Sequence, residues 1–105
     1  MTESEFAELA GKTLQEIETS LEASGADLDW EMSGDGILTV EFSDDSQIVI
    51  NKHSIAQEIW VAAKSGGFHY QWRNGSWISS REGTELKSDL SRLVSQQAGE
   101  SVTIA

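Results

Sequence analysis

No cysteine and no proline occur among the 105 residues. The missing cysteine excludes disulfides, thiol nucleophiles, thiolate-held zinc and cysteine-bound clusters. It also fits a reducing compartment, and the expected location is the cytoplasm. The missing proline leaves the unfolded chain more entropy to lose and the loops less stiff, an expectation of modest stability that a thermal midpoint tests. No apolar run approaches the roughly 20 residues of a membrane-spanning helix. The start, MTESEFAEL, has neither an apolar signal core nor a basic transit pattern, so no membrane is expected as a partner.

Positive charge is scarce too. Seven Lys or Arg face eighteen Asp or Glu, for a net charge of −11. Residues 1–45 hold thirteen acids and one base, Lys12, whereas residues 46–105 hold five acids and six bases. The excess negative charge therefore belongs to the first half. Phosphate contacts need Lys and Arg, so nucleic acid is a poor partner. Cations or a basic protein patch are better ones. The competing reading is a charge that only keeps the protein in solution.

What is present organises as a single domain over residues 1–105, long enough to bury one core. Phe6, Ala10, Leu14, Ile17 and Leu21 recur at spacings of three and four and predict a helix over 4–23. Thr2 with Glu5, or Ser4, caps its start, and Gly25 ends it. Short alternating runs follow at 27–33, 36–43, 46–52, 57–63, 67–72 and 76–80. SGDG, SDDS, SGG and RNGS separate four of the pairs, and Asn74-Gly75 is the strongest hairpin signal. The link HSIA at 53–56 lacks glycine, as does SDDS. A second helix is predicted over 84–98, with Leu86, Leu90, Leu93, Val94 and Gln97 as its buried stripe and Gly99 beyond its end. SVTIA then lies against the core as an extended tail.

The fold class expected is α+β, a two-layer α/β sandwich. Two helices pack on one face of an antiparallel sheet of about six strands, and the other face is left wet.

The stretch DLDWEMS, 27–33, alternates Asp27, Asp29 and Glu31 with Leu28, Trp30 and Met32. A strand would line the three carboxylates on one face, about 6.6 Å apart, with no base in the stretch to pair with them. Glu18 and Glu22 add a like-charged i, i+4 pair on the first helix. On the wet face, Ile59 and Val61 pointing inward put Glu58, Trp60 and Ala62 outward. A surface Trp beside Asn and Gln is a common protein–protein anchor; the alternative is a register that buries Trp60.

Enzymatic machinery is not visible. His53 and His69 sit on separate elements without metal-ligand spacing, and no GxSxG, P-loop or GxGxxG occurs. DLDWEMSGDGIL is not an EF-hand, because the sixth and twelfth places hold Met32 and Leu38. What remains is an open row of hard oxygen ligands suited to Mg²⁺, Ca²⁺, Mn²⁺ or iron, weakly and with poor selectivity, or to a basic protein patch.

IVINKHSIAQEIWVAAKSGGFHYQW, 48–72, with SEFAELA at 4–10 and QQAGESV at 96–102, resembles the frataxin family, in its bacterial (CyaY) branch. The resemblance covers nearly the whole chain. It implies a non-enzymatic protein that binds iron (Fe²⁺ or Fe³⁺) weakly on an acidic ridge, with other divalent cations also accepted. Carried over, that ridge is Glu18, Glu22, Asp27, Asp29 and Glu31, with Glu41 and Asp44 as additions. It also implies docking, through Glu18 and Glu22 and through Asn51 and Trp60, on the cysteine desulfurase and scaffold protein of iron–sulfur cluster assembly. There the protein would deliver iron or regulate, in bacteria slow, the desulfurase. It would be a monomer without iron that can form oligomers with it. The alternative is a ferroxidase or iron-storage oligomer. The ridge is thinner than the family's often is, since positions 19, 20, 23 and 24 hold Thr, Ser, Ala and Ser.

Overall fold

The stripe from Phe6 to Leu21 forms one side of α1 (Glu3–Ser24). In this computed structural model, which describes residues 1–34 and 36–105, Phe6, Ala10, Leu14, Ile17 and Leu21 are all buried. The helix opens on a full capping box: the Glu5 amide donates to Thr2 Oγ1 at 3.1 Å and the Thr2 amide donates to Glu5 Oε1 at 2.9 Å. The Thr2 bonds hold the Glu5 carboxyl below its ordinary pKa. Gly25 closes the helix at φ 66, a left-handed conformation that glycine adopts without Cβ strain.

Six strands follow: β1 (Leu28–Ser33), β2 (Ile37–Phe42), β3 (Gln47–His53), β4 (Glu58–Ala63), β5 (Gly66–Arg73) and β6 (Ser76–Ser79). They pair antiparallel in chain order, so β1 and β6 are the edges. Tight turns force neighbours in sequence to be neighbours in the sheet. Asn74 (φ 51) and Gly75 (φ 85) supply the two positive dihedrals expected of an Asn-Gly hairpin. The two links without glycine have their own positive φ, carried by Asp45 at 68° and Gln57 at 53°. The expected SGDG turn includes Asp35, which lies outside the described residues.

α2 (Leu86–Ala98) is capped by Glu85, whose carboxylate accepts from the Lys87 and Ser88 amides, and closed by Gly99 at φ 73. Both helices bury their stripes against the same sheet face, where Leu38, Val40, Ile48, Ile50, Ile59, Val61 and Tyr70 complete the core. The tail behaves as expected: Val102 and Ile104 are buried, and their amides donate to Ser95 Oγ and Ser91 Oγ of α2 at 2.9 and 2.8 Å. Gln97 departs from expectation. It is half-buried and serves as a polar tie, donating to Ser46 Oγ and accepting from the Lys64 amide, both at 3.0 Å. An amide at the rim of a stripe reaches loop backbone that an apolar side chain could not satisfy.

Two polar devices lock the layers together. Trp77, packed edge-on to Phe6 and Trp72, donates from Nε1 to Thr13 Oγ1 at 2.8 Å. Asp89, buried on the inner side of α2, accepts from Tyr70 Oη at 2.7 Å and Thr84 Oγ1 at 2.6 Å.

Candidate functional site

The predicted acids separate into three groups. On α1, residues advance about 100° each. Glu16 on one flank pairs with Lys87 of α2 at 2.8 Å, and Ser20 on that side bonds the Ala105 backbone. Glu18 and Glu22 occupy the opposite flank, away from α2, in the last two turns before the chain enters β1. Asp27 precedes β1 and is exposed. These three form the helix-side strip.

Asp29, Glu31 and Glu41 lie on the outer sheet face. Their neighbours Leu28, Val40 and Phe42 are buried on the inner one, and side chains alternate. Asp29 stands directly opposite Glu41 in the β1–β2 register, and Glu31 opposite Thr39. Like charges placed directly across a strand pair destabilise it. The alternation read from DLDWEMS therefore holds for Asp29 and Glu31, while Asp27 flanks the strand.

Asp44 forms the third group alone. In the β2–β3 turn it accepts from the Ser46 amide at 3.0 Å and from Ser46 Oγ at 2.6 Å, and it pairs with Lys64 at 3.5 Å. The Ser46 bonds, then Lys64, hold its carboxyl below the usual range. Such a carboxylate is already committed to Ser46 and Lys64. The other six make no ion pair with a described residue.

Three unfavourable electrostatic placements thus fall on the C-terminal turns of α1 and on the β1–β2 hairpin that follows it. Glu18 and Glu22 repel at i, i+4. Asp29 and Glu41 repel across strands. Glu22 also sits at the negative end of the α1 dipole, whose last turn contains no base. Sequences that break local rules together in one place do so where function asks for it. The arrangement is open: among the described residues, no three metal-ligating side chains converge on one point. Carboxylates spread along an edge attract hydrated divalent cations without caging them.

The outer sheet face carries the second site. Trp60 points outward, in register with Asn51 on β3 and His69 on β5. It is not a bare surface aromatic. His53 stacks on one face of the indole (4.1 Å between ring centroids, 10° between planes) and His69 on the other (4.4 Å, 5°). Trp60 Nε1 donates to Glu58 Oε1 at 2.9 Å, and Gln71 donates to Glu58 Oε2 at 3.0 Å. His53 Nδ1 accepts from the Ala56 amide at 3.3 Å, which fixes the His53 ring against the β3–β4 turn.

Sequence reasoning passed over both histidines as isolated surface residues. A signal was present: a hairpin that pairs His53 with Glu58 puts residues 53, 58, 60, 69 and 71 on one face. The consequence for Trp60→Ala is a stability loss of about 1–2 kcal/mol from two ring contacts and a lost hydrogen bond, larger than for an unsupported surface Trp. Chemical denaturation measures it, with an unchanged m-value as the sign that the fold is intact.

A family model described as a frataxin-like domain matches residues 1–100. The chain belongs to the frataxin family. It is 51% identical over 104 residues to a protein of Dechloromonas aromatica named iron–sulfur cluster assembly protein CyaY, covering 99% of each chain. The protein of the same name from Vibrio vulnificus is 45% identical over 102 residues, covering 97% of each. Among solved structures, the frataxin of Psychromonas ingrahamii superposes with a TM-score of 0.93 at 36% identity, over 100% of this chain and 99% of that one. A trimeric frataxin of Saccharomyces cerevisiae complexed with ferrous iron superposes with a TM-score of 0.74 at 31% identity, over 87% and 86%. The sandwich described above is the frataxin fold, and no helix among the described residues is long and apolar enough to cross a membrane.

Proposed function

We propose that this frataxin is a non-enzymatic module of iron–sulfur cluster assembly. It holds ferrous ions weakly along the β1 edge and docks on the cysteine desulfurase and its scaffold, delivering iron or setting the desulfurase's rate. The observation that carries this reading is the set of six carboxylates around β1 that have no cationic partner among the described residues and repel one another in the folded state. A cation or a basic protein surface relieves that repulsion. Glu18, Glu22, Asp27, Asp29, Glu31 and Glu41 bind the cargo, with Asp44 at the margin. Glu18 and Glu22 also meet the basic patch, and Asn51 with Trp60 meets the complex through the outer face. Hard carboxylate oxygens suit iron in its hydrated form, and the same donors accept Mn²⁺ or Mg²⁺.

The place in iron–sulfur cluster assembly is supported by the relatives, which are named for it; the desulfurase and scaffold follow from the family resemblance. The test is desulfurase affinity as a function of salt. A charge-driven complex weakens linearly on a log–log plot as ionic strength rises from 50 to 300 mM, with the loss mostly in the association rate. An affinity that does not respond to salt contradicts the docking role of the acids.

A further inference from the structure

The turn after β6 places a basic side chain beside the end of β5. Lys64 pairs with Asp44, Lys87 with Glu16 and Arg92 with Asp89. Arg81, in the turn after β6, makes no ion pair with a described residue, although Glu82 follows it and the chain holds eighteen carboxylates. Its Nη2 donates to the Gly67 carbonyl at 3.3 Å. That bond orients the guanidinium and leaves most of its five donors unused. The Ser80 amide and Oγ both donate to the His69 carbonyl, at 3.0 and 3.3 Å, so residues 80–81 run on beside β5 past the last strand. Arg81, Ser80, His69 and Phe68 border a cleft of about 160 Å³. At ~30 Å³ per water, this admits a carboxylate with part of its hydration shell. His69 also stacks on Trp60, so the cleft and the outer face share that residue.

We propose that Arg81, at the mouth of the cleft that Ser80 and His69 border, forms a carboxylate-binding subsite that receives an acidic side chain of the protein docked on the outer face. The proposal rests on the docking reading above and adds the chemistry of the partner. A guanidinium fork held by one backbone bond presents a flat pair of donors that matches a carboxylate. The partner surface is then dipolar, basic where it meets the β1 edge and acidic where it meets Arg81. That pattern fixes orientation, because the reversed pose brings like charges together at both ends.

Succinate is the probe for the subsite itself. It is titrated at constant ionic strength against chloride, with ¹⁵N spectra of the full chain. The expected result is a saturable shift confined to residues 67–69 and 79–81, weakened in Arg81→Lys and lost in Arg81→Gln. No saturable shift, or an equal one in Arg81→Gln, overturns the subsite. The second arm measures desulfurase affinity: Arg81→Gln is expected to lose about tenfold and Arg81→Lys to recover part of it, with divalent-cation binding at the β1 edge unchanged in both. Succinate binding with desulfurase affinity unaffected by Arg81→Gln overturns the docked side chain and leaves the docking reading standing. A wild-type chain that does not bind the desulfurase overturns both.

Discussion

Glu18→Lys combined with Glu22→Lys is expected to weaken desulfurase binding by about a hundredfold at low salt, and at the same time to make the protein slightly more stable. The two effects have one origin. Four units of charge change on the α1 flank away from α2, so a basic patch that was attracted is repelled, and like-charge contacts across an interface cost several kcal/mol. In the free protein the new bases meet the negative end of the helix dipole and Asp27, just beyond it, instead of adding to their charge. The Lys–Lys pair keeps the i, i+4 repulsion, so the net gain is about 1 kcal/mol, or roughly 4 °C in melting temperature for a domain of this size. Calorimetric binding and a thermal melt of the same sample read both. Loss of binding together with loss of stability would mean that the acids hold the fold together, and the opposition between function and stability would disappear.

Asp89→Ala, which removes a buried charge, is expected to cost about 3 kcal/mol of stability. Asp89 is 6% exposed and is the common acceptor for Tyr70 and Thr84, with Arg92 at 3.8 Å on its other oxygen. Removing it leaves a fully buried phenol without an acceptor and a threonine hydroxyl unpaired, and each lost bond to a charged group is worth about 1.5–3 kcal/mol. Denaturant unfolding measures it. The same contact gives an alkaline limit. Burial, and then the bond to Asp89, push the Tyr70 hydroxyl well above its ordinary value. Its folded state therefore holds the proton more tightly than the unfolded state. That contribution is complete below the unfolded pKa of about 10 and is lost as pH climbs above it. Stability should fall above pH 10, and Tyr70→Phe should flatten that decline.

Much of the architecture was legible because it depends on local chemistry. Thr2 with Glu5, Gly25 and Gly99 fix helix ends within a residue or two of where the stripe and the caps put them. Asn74-Gly75 and the other turns force a meander, so hairpin order alone gives the sheet order. The outward direction of Trp60 follows from Ile59 and Val61 pointing in. What the sequence withheld depends on contacts between distant elements. Asp44 reads like its acidic neighbours, yet Lys64, twenty positions on, reaches it because the β2–β3 and β4–β5 turns share one end of the sheet. Asp89 reads as a polar interruption of the α2 stripe until Tyr70 of β5 is set beneath it. The imidazole stack needs two hairpin registers at once. The acid strip lies between these cases. Its residues are plain in the sequence, but the division between a helix flank and the outer sheet face appears only when α1 is placed on the inner side of β1.

The central claim is that the carboxylates around β1, which make no ion pair with a described residue, act together as a loose cation site. The most direct measurement is a titration of the ¹⁵N-labelled protein with Fe²⁺ under argon, following line broadening residue by residue. The account predicts broadening that begins at residues 16–31 and Glu41 and leaves α2, residues 86–98, sharp at the same metal ratio. Broadening spread evenly over the surface, or centred on α2 and the Asp44–Lys64 pair, would contradict it.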